Sequence, residues 1–205
     1  MIYIERAEHF IPSEESPLPD VKFVPMLTRR RLSQLSKMVV AVNAAIGKDM
    51  PPCKVTFASQ YGEITQQLKI SQALLDTGNV SPAHFSLSVF NASVANATIL
   101  EKNTAGYSAV FSGKNAFREG LRDCIAALKA GPDTERVFIF ADEKIPEVYA
   151  PVAGVPYPNA VCALALRLTT DESKGGIALD ETPLEGNFAT AAEEAIAFIE
   201  QRLHR

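Results

Sequence analysis

Apolar residues along the chain follow two periods, and the shorter period marks several segments as strands. Residues 2–10 alternate between apolar and polar side chains, as a half-exposed strand does. Residues 53–60 and 106–111 are short runs rich in β-branched and aromatic residues, a composition typical of strands. Residues 136–142 and 160–170 are apolar almost throughout, which predicts strands covered on both faces.

Helical spacing, with apolar residues three and four positions apart, occurs between these strands. The predicted helices are residues 29–47, 62–77, 91–101, 114–130 and 189–203. Thr28 is placed to cap the first helix, and Gly47 is placed to end it. The second helix has its apolar residues at Ile64, Leu68, Ile70, Leu74 and Leu75. Strands that alternate with helices in this way favour an α/β fold with a layered sheet.

Two segments follow neither period and are predicted to be loops. Residues 11–25 contain four prolines and several acidic residues, which predicts an exposed loop. Residues 171–188 are rich in glycine and acidic residues, and they form the expected loop before the C-terminal helix. With no internal repeat and a length of 205 residues, the chain is expected to form a single domain over residues 1–205.

Composition and charge exclude several classes of protein. The net charge of -4 argues against a nucleic-acid surface, and the basic run Arg29–Arg31 is expected to be a solvated helix start. No signal peptide is evident, and no apolar run reaches the ~20 residues that cross a bilayer. The expected compartment is therefore the cytoplasm, without a membrane partner. Cys53, Cys124 and Cys162 are widely spaced, which suggests neither a disulfide framework nor a metal site.

A serine hydrolase is one candidate chemistry. Ser112 stands between a predicted strand and a predicted helix, and His84 is the histidine that could serve as its base. The surrounding sequence lacks the GxSxG pattern, and the scattered carboxylates suggest no acid partner. A simpler expectation is that the Ser112 hydroxyl caps the helix that follows. Cys124 lies on the apolar side of the same helix and is expected to be buried and inert.

Four segments, taken in order, resemble the N-terminal half of the β-ketoacyl synthases, which are enzymes of the thiolase fold. They are residues 57–64, 81–99, 106–121 and 136–149. The second segment carries a Ser-Pro pair, a phenylalanine and a Ser-Val-x-Asn-Ala sequence that leads into a helix of small residues. The resemblance covers most of residues 53–170. It implies the N-terminal half of a thiolase-like fold, a mixed sheet with helices packed on it.

The resemblance also shows where the chain departs from the family. The family's nucleophilic cysteine stands at the start of the helix that follows strand 106–111, and here that place falls closest to Gly113. The family's histidines belong to a C-terminal half that is expected to be missing, since the chain has about half the usual family length. The expectation is therefore a non-catalytic protein without a cofactor or a metal.

The helix after Gly113 differs from the family in its polarity. In a full-length synthase this helix is packed between two halves and should be apolar nearly all round. Here charged residues occupy one side, namely Lys114, Arg118, Arg122, Asp123 and Lys129. Burying so many unpaired charges would cost several kcal/mol each. The charged side is therefore expected to face water or to be partly paired with another chain.

Synthases of this family are dimers that pair through the strand before the nucleophile. The strand here has no charge and no proline to protect it, so it is a hazard unless another strand pairs with it. The resemblance implies a dimer interface at Asn91, Tyr107, Ser108, Ala109, Val110 and Phe111. An internal strand that is covered within its own chain is the alternative.

Some synthases work as heterodimers in which one subunit, the chain-length factor, has lost its cysteine and lines its partner's acyl tunnel. The resemblance places His84 at the tunnel-facing position, with Phe85 and Leu87 beside it. The expected function is thus a non-catalytic ketosynthase-like subunit of polyketide, aryl polyene or fatty-acid-like chain elongation. Its partners would be an active β-ketoacyl synthase and, indirectly, an acyl carrier protein. The alternatives are an acyl-transfer or thioesterase enzyme that uses Ser112 and His84, or a homodimeric scaffold.

Overall fold

The computed structural model describes residues 1–154 and 156–203, and it contains one mixed sheet of six strands. The strands are β1 (Tyr3–Phe10), β2 (Lys54–Ala58), β3 (Tyr107–Val110), β4 (Glu135–Asp142), β5 (Cys162–Thr169) and β6 (Ile177–Ala178). Their order is β3-β2-β4-β5-β1-β6. Strand β2 runs parallel to β3 and β4, whereas β5 is antiparallel to both β4 and β1.

The helices lie on both faces of the sheet. They are α1 (Met26–Arg29), α2 (Gln34–Gly47), α3 (Ile64–Thr77), α4 (Pro82–Phe85), α5 (Ala92–Leu100), α6 (Ala116–Ala130), α7 (Ala150–Ala153) and α8 (Ala191–Phe198). Residues of α2 and α5 form one apolar core with the sheet, and residues of α6 and α8 form the other. This arrangement confirms the predicted α/β fold with a mixed sheet and packed helices.

The two central strands are covered on both faces, as their continuous apolar runs predict. Every residue of β5 is buried, and so are the last six residues of β4. Side chains of one strand therefore alternate between the two cores. Phe138 and Leu164 lie in the core under α6, whereas Ile139 and Ala163 lie in the core under α2.

The prediction of the first helix is wrong at the N-terminal end. The expected helix over 29–47 is instead two helices, since α1 ends at Arg29 and α2 begins at Gln34. Thr28 lies inside α1, and Ser33 is the residue that caps α2, because its hydroxyl accepts a hydrogen bond of 2.8 Å from the Ser36 N–H. An N-cap residue is extended rather than helical, so the helical period is interrupted there.

The two predicted loops are partly ordered by contacts with the sheet. The stretch 171–188 contains β6, which pairs with β1, and a 3-10 turn at Glu172–Lys174. Residues 11–25 form no strand or helix, but Val21 and Val24 are buried and hold the end of this segment on the core under α2.

Candidate interaction surface

Strand β3 forms one edge of the sheet and pairs only with β2 among the described residues. Its residues alternate between exposed and half-buried, and the exposed side carries Tyr107 and Ala109. Phe111 follows directly, with 65% of its surface exposed. The edge is therefore uncharged, partly apolar and open to pairing, as a strand that associates with another chain would be.

A row of aromatic rings connects this edge to the core. The Phe90 ring lies 5.8 Å from the buried Phe57 ring and 4.9 Å from the Phe111 ring, measured between centroids. The Phe90 ring also lies against the backbone of Gly62, where an added Cβ would be 2.6 Å from it. Gly62 has a φ of +60°, so this close approach and this backbone both require glycine. The exposed Phe111 thus rests on a fixed partner.

The segment before α5 and strand β3 are joined by a polar contact. The Asn91 side-chain amide donates a hydrogen bond of 2.8 Å to the Tyr107 hydroxyl. On the other side of the strand, the Ser108 hydroxyl donates to Thr56 Oγ1 of β2 at 3.3 Å. The structure therefore brings Asn91 and Tyr107 into contact, and we call Asn91 together with Tyr107–Phe111 the edge surface.

The residues expected at a partner's tunnel lie on or just after α4. His84 and Phe85 are exposed, the latter with 57% of its surface, and Leu87 is half-buried. Within the described residues the His84 imidazole makes no hydrogen bond. Leu87 precedes Phe90 by three residues, which places this loop next to the edge surface.

Helix α3 contributes exposed apolar residues that the sequence analysis did not assign to a site. Its bounds agree with the prediction, and Gly78 ends it in the left-handed conformation with a φ of +68°. None of its residues is buried, and Leu74 and Leu75 expose 52% and 86% of their surfaces. Because α3 contacts α4, its apolar side extends the exposed apolar area beyond the edge surface. The helical spacing of apolar residues in the sequence predicts an apolar face on α3, but it does not indicate whether this face is covered.

The position of the expected nucleophile lies at the start of α6. Gly113 opens a 3-10 turn that leads into α6, and it has a φ of +54°. An added Cβ would meet nothing within 4 Å, so the position faces open space. The expected cap at Ser112 is wrong, because its side chain makes no capping hydrogen bond. Among the described residues, no hydrogen bond joins Ser112 to His84 either.

Helix α6 has the one-sided character predicted for it. Phe117, Cys124 and Leu128 are buried, which confirms the burial expected for Cys124, and this burial raises the pKa of the Cys124 thiol to about 12. The exposed side pairs largely within the chain. Arg118 binds Glu194 of α8, and Lys129 binds Glu181, each at 2.9 Å.

Three carboxyl groups are buried where β2 and β4 end. Asp142 Oδ1 accepts hydrogen bonds from the Ser59 hydroxyl at 2.7 Å and from the Gln60 N–H at 2.8 Å. Glu63 Oε1 accepts from the Ser36 hydroxyl at 2.5 Å, and Glu143 accepts from the Thr65 N–H at 3.0 Å. Each residue is at most 1% exposed.

Burial in this cluster favours the neutral acids. Desolvation, with a smaller repulsion from Glu143, raises the pKa of both Glu63 and Asp142 to about 7. Glu63 Oε2 and Asp142 Oδ2 have no hydrogen-bond partner among the described residues. Sequence patterns gave no sign of this cluster, although all three acids lie at or within a few residues of the end of a predicted strand.

Neither a metal site nor a membrane span emerges from the geometry. Among residues 1–154 and 156–203, no group of three histidine, cysteine or acidic side chains is placed to hold a metal ion. No helix in this part of the chain is both long enough and apolar enough to cross a membrane.

The mixed sheet between two helical layers defines an α/β protein with the thiolase-like ketosynthase fold. The family model described as "Beta-ketoacyl synthase, N-terminal domain" matches residues 4–202. The chain therefore belongs to the family of β-ketoacyl synthase N-terminal domains. A search of curated proteins found no match.

Solved structures agree with this assignment. The chain is 27% identical, with a TM-score of 0.78, to a chain of the ketosynthase (ApeO) in complex with its chain length factor (ApeC) from Xenorhabdus doucetiae, over 93% of this chain and 78% of that chain. A β-ketoacyl synthase from Burkholderia phymatum STM815 shows 13% identity and a TM-score of 0.59, over 76% of this chain and 46% of that one.

The ishigamide ketosynthase/chain length factor gives a similar result, with 12% identity and a TM-score of 0.60, over 85% of this chain and 53% of that one. The chain therefore spans about half the length of these two structures, which share the fold. It spans most of the matched chain in the Xenorhabdus complex.

Proposed function

We propose that the protein is a non-catalytic ketosynthase-like subunit that pairs with an active β-ketoacyl synthase and shapes its acyl tunnel. The reaction served would be chain elongation in a polyketide, aryl polyene or fatty-acid-like pathway. The observation that carries the proposal is the open strand β3, which ends in the exposed Phe111 at an edge without any charge. An acyl carrier protein would be an indirect partner, through the active subunit.

The edge surface has the properties of a permanent interface. Its strand offers free backbone groups for pairing, and its exposed aromatic side chains offer apolar area whose burial contributes roughly 25 cal/mol per Å². The Asn91–Tyr107 hydrogen bond and the Phe90–Phe111 contact hold this surface in shape before a partner arrives. Preorganised side chains lose little entropy on binding, which favours tight association.

The tunnel assignment rests on the loop next to this edge. The His84 and Phe85 side chains are exposed and have no hydrogen bond or ring contact among the described residues, so they are free to project into a neighbouring subunit. A bulky side chain there would limit the length of the acyl chain, and a smaller one would lengthen it. The similar complex of a ketosynthase with its chain length factor supports a partner of this kind.

The glycine at the expected nucleophile position supports a non-catalytic role. Gly113 has no side chain, Ser112 has no base in hydrogen-bond contact among the described residues, and Cys124 is buried with a raised pKa. Thioester hydrolysis that is lost in Ser112→Ala would instead establish the serine enzyme.

The direct test is coexpression with an active β-ketoacyl synthase, with copurification as the measurement. Ala109→Lys places a charge on the exposed side of β3, and Val152→Lys on α7 places the same charge at a site that is 80% exposed. We expect the wild type and Val152→Lys to copurify and Ala109→Lys to fail. A monodisperse monomer that never copurifies would refute the proposal, whereas native mass spectrometry that finds only homodimers would establish the scaffold.

A further inference from the structure

A short segment before α2 combines cationic and exposed apolar side chains. Residues 22–31, with the sequence KFVPMLTRRR, contain four cationic residues and no acidic one. We call residues 22–31 the basic segment. The protein as a whole has a net charge of -4, so this concentration of positive charge runs against the overall balance.

The three arginine side chains of the basic segment are available to bind a ligand. Arg29 ends α1, and Arg30 and Arg31 follow in the turn before α2. Among the described residues, none of the three guanidinium groups forms an ion pair or a hydrogen bond. The pKa of Asp20 is lowered chiefly by the hydrogen bond from the Lys22 N–H, and the Arg29 charge contributes least. Lys22 is different, because it pairs with Asp20 at 3.4 Å.

The apolar side chains of the same segment point into solvent. Phe23, Met26 and Leu27 expose 59%, 54% and 72% of their surfaces. Val21 and Val24, which lie on either side of Phe23 in the sequence, are buried and anchor the segment to the core under α2. The exposed side chains are therefore presented by a fixed backbone.

The shape of the segment distinguishes among its possible ligands. Neither the cleft beside Gly47 nor the cleft beside α6 in the described molecule is lined by any residue of the basic segment, so the segment presents an exposed surface and not a wall of either cleft. Exposed apolar side chains with cations beside them fit an anionic lipid surface, where the apolar side chains enter the acyl boundary and the cations contact headgroups. Each Lys or Arg near such a surface contributes about 1 kcal/mol.

We propose that the basic segment is a peripheral binding site for anionic phospholipid membranes. Phe23, Met26 and Leu27 enter the interface, and Arg29, Arg30 and Arg31 bind the headgroups. Buried Val21 and Val24 keep these side chains presented. This proposal departs from the expectation that the three arginines are a solvated helix start and that the protein has no membrane partner. It does not require a membrane-spanning segment.

Vesicle cosedimentation of the full chain tests this proposal. The probes are vesicles of phosphatidylcholine alone and vesicles with about one third phosphatidylglycerol. Arg29→Gln/Arg30→Gln/Arg31→Gln removes the cations, and a matched control, Lys102→Gln/Lys114→Gln/Lys144→Gln, removes three exposed cations elsewhere. Phe23→Ser/Leu27→Ser tests the apolar part. Thermal unfolding checks that each variant is folded. A variant with only one of the three arginines replaced provides a milder change.

We expect binding to the anionic vesicles only, with a loss of about fivefold for one arginine and on the order of a hundredfold for three. The lysine control should bind within about twofold of the wild type, and Phe23→Ser/Leu27→Ser should bind more weakly than the wild type. Added salt should weaken binding. Equal binding to both vesicle types, or equal loss in the lysine control, would overturn the proposal. Binding to poly-L-glutamate through the three arginines, with no vesicle binding, would assign the segment to an acidic protein instead.

Discussion

Glu63 provides a direct test of the buried carboxyl groups. Removing its charge should change the stability of the protein at high pH but not at low pH. The residue is fully buried, and only one of its two carboxyl oxygens has a hydrogen-bond donor. Burial is the largest cause that raises its pKa from 4.5 to about 7, opposed by the hydroxyls of Ser33 and Ser36 and by the charge of Lys69. At pH 8 the buried Glu63 side chain is therefore ionised in the folded protein, although burial favours its neutral form.

The sign follows from proton binding. A carboxyl whose pKa is higher in the folded state binds its proton more tightly there, so protonation favours folding. The contribution is fully present below about pH 4.5 and is lost as the pH rises through about 7. Since one pKa unit corresponds to about 1.4 kcal/mol, the shift of Glu63 amounts to about 3 kcal/mol of stability lost by pH 8.

The substitution Glu63→Gln replaces the ionisable group with a neutral one of the same shape. We expect this variant to be about 2 kcal/mol more stable than the wild type at pH 8, since an unmatched amide donor offsets about 1 kcal/mol of the gain. At pH 5, where the wild-type acid is already protonated, the difference should fall below about 0.5 kcal/mol. Urea unfolding at pH 5, 6, 7 and 8 measures these values.

Glu14→Gln is the matched control, because Glu14 is exposed and far from the cluster in sequence. It should follow the wild type at every pH. Parallel curves for the wild type and Glu63→Gln would refute the reasoning, since the pH dependence would then arise from other groups. Asp142 provides an independent check, because burial raises its pKa to about 7 as well.

Three further predictions concern the edge surface and the start of α6. Gly62→Ala should lower the unfolding free energy by about 2 kcal/mol or more, because a Cβ would meet the Phe90 ring at 2.6 Å; an unchanged melting temperature would argue against that contact. Asn91→Ala and Tyr107→Phe each remove the same hydrogen bond and should each cost about 0.5–1 kcal/mol in urea unfolding, and the double variant should cost no more than either alone; full additivity would contradict this. Gly113→Ala should lower the unfolding free energy by about 1 kcal/mol, because alanine is strained at this positive φ although its Cβ would meet no neighbour. A gain in stability would show that alanine adopts this backbone conformation without strain.

The sheet was the most predictable part of the fold. Strands β4 and β5 are continuous apolar runs because both of their faces are buried, and such runs are visible in sequence. The break before α2 was missed, because the apolar period continues across it and only the Ser33 cap marks it. Sequence periodicity reports which side chains are apolar, but not where the backbone leaves the helical conformation.

The candidate site was less predictable, because it depends on contacts between distant segments. The resemblance placed Asn91 and Tyr107 in an interface, but not in contact with each other. Helix α3 was predicted with nearly correct bounds, yet its exposed apolar side was not recognised as surface. The buried acids are scattered along the sequence, with Glu63 and Asp142 far apart, so the sequence does not indicate that they lie together. Parallel pairing of β2 with β4 brings the ends of the two strands together.

One turn connects the buried acids to the edge surface. The Ser59 hydroxyl donates to Asp142 and accepts a hydrogen bond of 2.8 Å from the Gly62 N–H. Gly62 in turn supports the ring of Phe90, which packs on Phe111 at the open edge. Because Asp142 Oδ1 accepts the hydrogen bonds that fix this turn from within the core, the position of the exposed Phe111 depends on buried groups. The proposed pairing surface is thus held in place by a buried polar network, and this is a physical reason for keeping costly carboxyl groups at the ends of the parallel strands.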